Sequence, residues 1–265
     1  MESRIRDGVT LCYDEDGTGD PPILLVHGWC CDHTYLALQF EHFRREHRTV
    51  AVDLRGHGQS DKPVQEYTIA LFADDLAWLC GEIGLAKPVV IGHSMGGVIA
   101  VELAHRYPER VAAVVALDAP LVPPPERRER SLRLLEALRG PHYRQAQRDF
   151  VSQVMFLPSD DPRRKARIVD AMSSTPQHVM AEAYAALHER WDGAAALRAC
   201  RLPLLSIAAA TPLTDPAHLR ALCPHAITGQ TVGAGHFLQL EVPEQVNAMI
   251  DRFLRIALPS TAAAR

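Results

Sequence analysis

Short, almost wholly apolar runs alternate with stretches of helical spacing along most of the chain. The runs at 23–26, 49–53, 89–91, 111–117 and 204–208 are rich in Val, Ile, Leu and Ala. Runs of that length with few polar members predict strands buried on both faces. Between them, 36–45, 69–83 and 98–107 carry apolar residues at helical intervals, most clearly Leu71, Phe72, Leu76, Leu79 and Ile83. Residues 9–13 alternate and, with 4–7, predict a hairpin about Gly8. A further strand is expected at 227–232, and a last amphipathic helix at 246–258. Strands alternating with helices predict an α/β protein with a mostly parallel, doubly wound sheet, whose sites lie beyond the carboxyl ends of the strands.

The rhythm breaks once. From Pro123-Pro124-Pro125 to Leu202-Pro203 the pattern is helical, with no convincing strand. The expected organisation is a core of 1–120 and 203–258, a helical cap at 121–202 laid across the strand ends, and a disordered tail at 259–265. The sequence contains no internal repeat.

Composition changes this picture little. The 265 residues suffice for one large domain with an insertion, and 47% hydrophobic with 23% charged residues is ordinary for a globular chain. A net charge of −4 argues against a nucleic-acid surface. No apolar stretch approaches membrane-spanning length. Met1-Glu2-Ser3-Arg4 lacks the apolar centre of a signal peptide, so a cytoplasmic location is expected. The expected partner is a small-molecule substrate, with no nucleic acid, no membrane and a monomeric or homodimeric state. The six cysteines (12, 30, 31, 80, 200, 223) show no CxxC pair and no disulfide framework, so free thiols and no metal are expected.

The candidate chemistry centres on Gly92-His93-Ser94-Met95-Gly96. Gly-x-Ser-x-Gly arises by chance in roughly one chain in ten of this length at average glycine usage. Here it joins a predicted strand directly to a predicted helix, the context of a nucleophile elbow. Ser94 at its free pKa is a weak nucleophile and needs a base. Among thirteen histidines, His236 stands out, in Gly233-Ala234-Gly235-His236-Phe237 between the last strand and the last helix. His93 adjoins Ser94 and should point away from its hydroxyl. An acyl-transfer oxyanion needs two N–H donors, for which Met95 N and Trp29 N, in His27-Gly28-Trp29 after strand 23–26, are the candidates. Arg127, Arg128, Arg130 and Arg133 are expected on a solvated helix face.

These motifs, with the Asp53-to-Ser60 loop, resemble the α/β-hydrolase fold superfamily over nearly the whole chain. The resemblance implies a serine hydrolase with a Ser–acid–His triad, acting on an ester, a lactone or a related bond, without a cofactor. One position departs from the family pattern. The acid usually follows the strand that here is 204–208, but this chain reads Ala209-Ala210-Thr211-Pro212-Leu213 there. Asp118, ending strand 111–117, is the preferred acid, a place where some members of the superfamily carry it. Asp215 is the second candidate, although Asp215-Pro216 also reads as a helix N-cap. Asp53 ends a strand too, in a loop that more often braces the fold. Two rival readings remain: Gly28-Trp29-Cys30 with an acid at Asp118 also resembles cofactor-free ring-cleaving dioxygenases, and the residue at Thr211 motivates a low-turnover binding protein.

Overall fold

The computed structural model describes residues 1–258. The tail expected to be disordered lies outside the described residues. Eight strands form one sheet: β1 (Glu2–Arg6), β2 (Val9–Asp16), β3 (Ile23–Val26), β4 (Thr49–Val52), β5 (Val89–His93), β6 (Ala113–Leu117), β7 (Leu204–Ala208) and β8 (Ile227–Gln230). Their spatial order is β1-β2-β4-β3-β5-β6-β7-β8. The β1–β2 and β2–β4 pairs are antiparallel, and every other pair is parallel.

Strand side chains alternate between two buried layers. Leu24, Val26, Val50, Val52, Val90, Val114 and Ala116 pack with helices Ile69–Glu82 and Met95–Arg106. Ile23, Leu25, Ala51, Val89, Ile91, Val115 and Ile207 face the other way, toward Leu36, Phe43 and helix Pro243–Ala257. Burial on both faces explains why these strands lack a polar alternation.

Between β6 and β7 the chain is helical, with α-helices at Pro125–Arg139, Tyr143–Val154, Pro162–Ser173, Gln177–Ala185 and Gly193–Ala199. No helix among the described residues is long and apolar enough to cross a membrane.

Register does the positioning. His93 on β5 pairs with Leu117 on β6, and Leu117 pairs with Ile207 on β7. Ser94 and Asp118, each the first residue beyond its strand, therefore stand level at the carboxyl edge. Their amides continue the ladders, Ser94 N donating to Leu117 O and Asp118 N to Ile207 O, both at 2.8 Å.

Candidate active site

Ser94 sits between β5 and helix Met95–Arg106 with φ 53° and ψ −118°. That left-handed conformation is costly for a residue with a side chain, and it turns the chain within one residue from strand to helix. The glycines make the turn possible. A Cβ on Gly92 would lie 2.1 Å from Gly96 O, and one on Gly96 would lie 2.2 Å from Val26 O. Asp118, directly after β6, also has positive φ, at 39°, as does Cys30, at 56°, in the turn after β3.

The turn after β3 passes directly against Ser94: a methyl on Gly28 would sit 3.2 Å from Ser94 Cβ. His27 fixes this turn. Its Nε2 accepts from Leu54 N at 3.0 Å, which leaves the proton on Nδ1, and Nδ1 donates to Gly28 O at 2.8 Å. Burial lowers the pKa of His27 and keeps it neutral for this double role. Trp29 Nε1 donates to Met180 O at 2.8 Å and ties the turn to helix Gln177–Ala185. Among the described residues neither Trp29 N nor Met95 N has a hydrogen-bond partner. Trp29 lines the cavity described below, whereas the Met95 side chain is wholly buried in the core.

His236 Nδ1 donates to Asp118 Oδ2 at 2.8 Å, and both residues are buried. The other carboxylate oxygen, Asp118 Oδ1, accepts from Ala209 N at 3.2 Å. This bond fixes the imidazole tautomer and leaves the Nε2 lone pair free of any partner among the described residues. Ser94 Oγ is likewise unpartnered, and no hydrogen bond joins it to His236. Contacts of that kind often tighten only when substrate binds.

Ser94, Asp118 and His236 line one cavity of about 350 Å³, within the size range of small-molecule sites. The helical insertion supplies much of its apolar wall, including Phe150, Phe156, Met172 and Leu187. Arg127 and Arg130 also reach the cavity, although a solvated face was expected for them.

The other acid candidates are engaged elsewhere. Asp215 accepts from Ala217 N at 2.9 Å and caps helix Pro216–Leu222. Thr211 lines the cavity. Thr214 fills a structural role: its hydroxyl donates to Ala119 O at 2.8 Å and accepts from Leu121 N at 2.8 Å, holding the turn after Asp118.

One contributor escaped sequence reasoning. His93 does turn away from the Ser94 hydroxyl, but its Nε2 donates to His236 O at 2.8 Å. His236 N in turn donates to Met155 O at 3.1 Å, so the loop is held by the elbow on one side and by the insertion on the other. Burial holds His93 well below its ordinary pKa, which keeps Nδ1 unprotonated. The adjacency of His93 to Ser94 was visible in the sequence; its reach across 143 residues was not.

Comparison with known proteins places this architecture. Residues 21–243 match the model of the alpha/beta hydrolase fold family. The chain belongs to that family. A solved thermophilic esterase from Thermogutta terrifontis, in a malate-bound form, is 30% identical, with a TM-score of 0.83 over 96% of this chain and 97% of that one. A solved protein described as an N-acyl homoserine lactone degrading enzyme is 27% identical, with a TM-score of 0.80 over 95% of this chain and 100% of that one. Bifunctional epoxide hydrolase 2 of Sus scrofa is 34% identical over 124 residues, 45% of this chain and only 22% of that protein. The chain thus matches less than a quarter of that relative's length.

Proposed function

We propose that the protein is a serine hydrolase that cleaves a small carboxylic ester or lactone through an acyl-enzyme on Ser94. The single observation behind this reading is the Asp118–His236 pair opening onto the same cavity as a serine held at a strained strand-to-helix turn. In this reading His236 Nε2 takes the Ser94 proton as Oγ attacks the carbonyl carbon. Asp118 holds Nδ1–H and favours the imidazolium that forms. The oxyanion of the tetrahedral intermediate receives Trp29 N–H and Met95 N–H, two donors left without other partners. In enzymes where one such donor has been removed, the loss is about 2.7–4 kcal/mol of transition-state stabilisation. His236 then protonates the leaving alcohol, and water attacks the acyl-enzyme with His236 again as base. No step needs a cofactor. The helices of residues 121–202 act as a cap whose apolar wall selects the acyl or alcohol group.

The relative named as a bifunctional epoxide hydrolase raises a second chemistry. A serine that opened an epoxide would be left as an ether, with no carbonyl for water to attack. Ser94 at the elbow therefore favours acyl transfer. The reason for considering a low-turnover binding protein also weakens, because Asp118 supplies the acid that Thr211 cannot.

Wild-type protein is expected to hydrolyse a short p-nitrophenyl ester and to be labelled by a fluorophosphonate. Ser94→Ala should lose labelling and about 10⁶-fold in kcat, the scale of removing such a nucleophile. Equal ester turnover by Ser94→Ala would sink the reading.

A further inference from the structure

A second cluster of chemistry-bearing side chains lies at the opposite end of the sheet. Cys200 follows helix Gly193–Ala199, the last of the insertion, and precedes β7. Cys223 ends helix Pro216–Leu222, and His225 lies two residues on, just before β8. All three thus stand at the amino ends of β7 and β8. Ser94 and His236 stand beyond the carboxyl ends, about 16 Å away for a five-residue strand, and none of the three lines the cavity. The spacing 200, 223, 225 has no motif value, and it is tertiary structure that gathers them.

One donor atom from each of the three residues lies within 4.8 Å of the other two. Both sulfurs are buried, whereas His225 is exposed, which gives an entry path. Backbone bonds fix the sulfurs, Cys200 N donating to Ala196 O at 3.0 Å and Cys223 N to Leu219 O at 2.8 Å. His225 Nε2 donates to Leu202 O at 2.9 Å, so the lone pair is on Nδ1; Cys223 Sγ lies 3.5 Å from Nε2 and 3.8 Å from Nδ1, and a turn of the ring presents Nδ1 to the sulfur. A thiolate and an imidazole nitrogen bound to one tetrahedral zinc ion lie roughly 3.6 Å apart, from ordinary Zn–S and Zn–N lengths. A ligating histidine also ordinarily gives its other N–H to a carbonyl or carboxylate, as His225 does to Leu202.

We propose that Cys200, Cys223 and His225 form a site for a thiophilic divalent cation, Zn²⁺ in particular, with water in the fourth position. The ion would pin the end of the helical insertion to the sheet, at a distance from the Ser94 cavity and independently of its chemistry. Two thiolates and one imidazole suit zinc, and the absence of carboxylate ligands disfavours magnesium or calcium.

The test uses the full chain, stripped with a chelator and kept in a thiol-free reductant. One equivalent of Co²⁺ should produce the thiolate-to-cobalt charge-transfer bands and visible d–d bands of a tetrahedral ion, and Zn²⁺ should displace it. Zn²⁺ should also raise the Tm. Cys200→Ser and Cys223→Ser should each weaken Zn²⁺ binding at least tenfold, diminish the charge-transfer bands and remove the Tm rise. His225→Ala, at an exposed position that folding tolerates, should weaken binding about tenfold while leaving the thiolate bands. Labelling of Ser94 by a fluorophosphonate in each variant separates loss of the metal site from loss of the fold. A reduced wild type that binds neither Co²⁺ nor Zn²⁺ would overturn the proposal. So would binding that is unchanged in all three variants, or a Cys200–Cys223 disulfide that persists under the reductant.

Discussion

Two aspartate–histidine pairs sit at the carboxyl edge of the same sheet, and they differ in what lies beyond the imidazole. Asp53 follows β4 and Asp118 follows β6; each meets a histidine Nδ1 at 2.8 Å. Asp53 is saturated. It also accepts from His33 N at 2.8 Å and from Gln59 N at 2.7 Å, and Gly58 packs so tightly that a Cβ there would lie 2.1 Å from the carboxyl carbon. Burial alone would raise this carboxyl, but the His33 bond and the two amides hold it down at about 2. The far nitrogen of His33 lies 3.4 Å from a second carboxylate, Asp14. Hydrogen bonding to Asp53, reinforced by Asp14, raises the His33 pKa and favours a standing imidazolium. His236 has one carboxylate behind it and a cavity holding Ser94 in front. The same kind of pair is therefore enclosed by protein in one place and opens onto a cavity in the other. His33 is held between two carboxylates, whereas His236 Nε2 has no hydrogen-bond partner among the described residues.

Substitutions in the two pairs should separate these roles. Asp118→Asn is expected to lower kcat per folded molecule by about 10⁴, the loss seen where a triad acid is so changed. Asp215→Asn should leave kcat within a few fold. The reverse outcome, measured on the same ester, would remove Asp118 from the mechanism. Asp53→Asn should do the opposite. Breaking a buried pair costs about 3–5 kcal/mol, read as a lower denaturation midpoint, while kcat per labelled Ser94 stays within a few fold. Because the folded Asp53 pKa lies below its unfolded value of about 3.9, its stabilising contribution is present above that pH. It is lost as pH falls toward about 2, so the variant should show a shallower acid limb in urea titrations.

A smaller effect probes how the His236 loop is held. Glu241 Oε2 accepts from Gly235 N at 2.8 Å, Asp160 Oδ2 accepts from Leu157 N at 2.7 Å within the insertion, and a Cβ on Gly235 would lie 3.0 Å from Asp160 Oδ2 and 3.2 Å from Glu241 Oε1, so the two acids flank the His236 loop. Burial, then hydrogen bonding with Asp160, raises the Glu241 pKa from 4.5 to about 7. A raised carboxyl pKa means the folded state holds the proton more tightly, so stability falls as pH rises from 4.5 to about 7. Glu241 is half exposed, and solvent screens the effect. Glu241→Gln should flatten the Tm profile across that window by about 2–4 °C. A profile parallel to the wild type would remove Glu241 from the pH dependence.

The sequence by itself determined the parallel sheet, the elbow and the turn at Gly28, because each is written in short-range terms. Apolar runs report burial on two faces, and glycines at 92 and 96 report a close approach that no Cβ allows. His236 was legible for the same reason, by its place between the last strand and the last helix. Asp118 was the preferred acid on the sequence, and it is Asp118 that meets His236, although the sequence left Asp215 open beside it. Asp118 and Asp215 both stand beside plausible turns, and only the β5–β6–β7 register sets Asp118 level with Ser94 while Asp215 caps its own helix. The inward turn of Arg127, the His93 bond to the His236 loop and the gathering of Cys200, Cys223 and His225 were decided by tertiary structure alone. Such contacts depend on how separate elements pack, and a bond across 143 residues leaves no period in the chain to read.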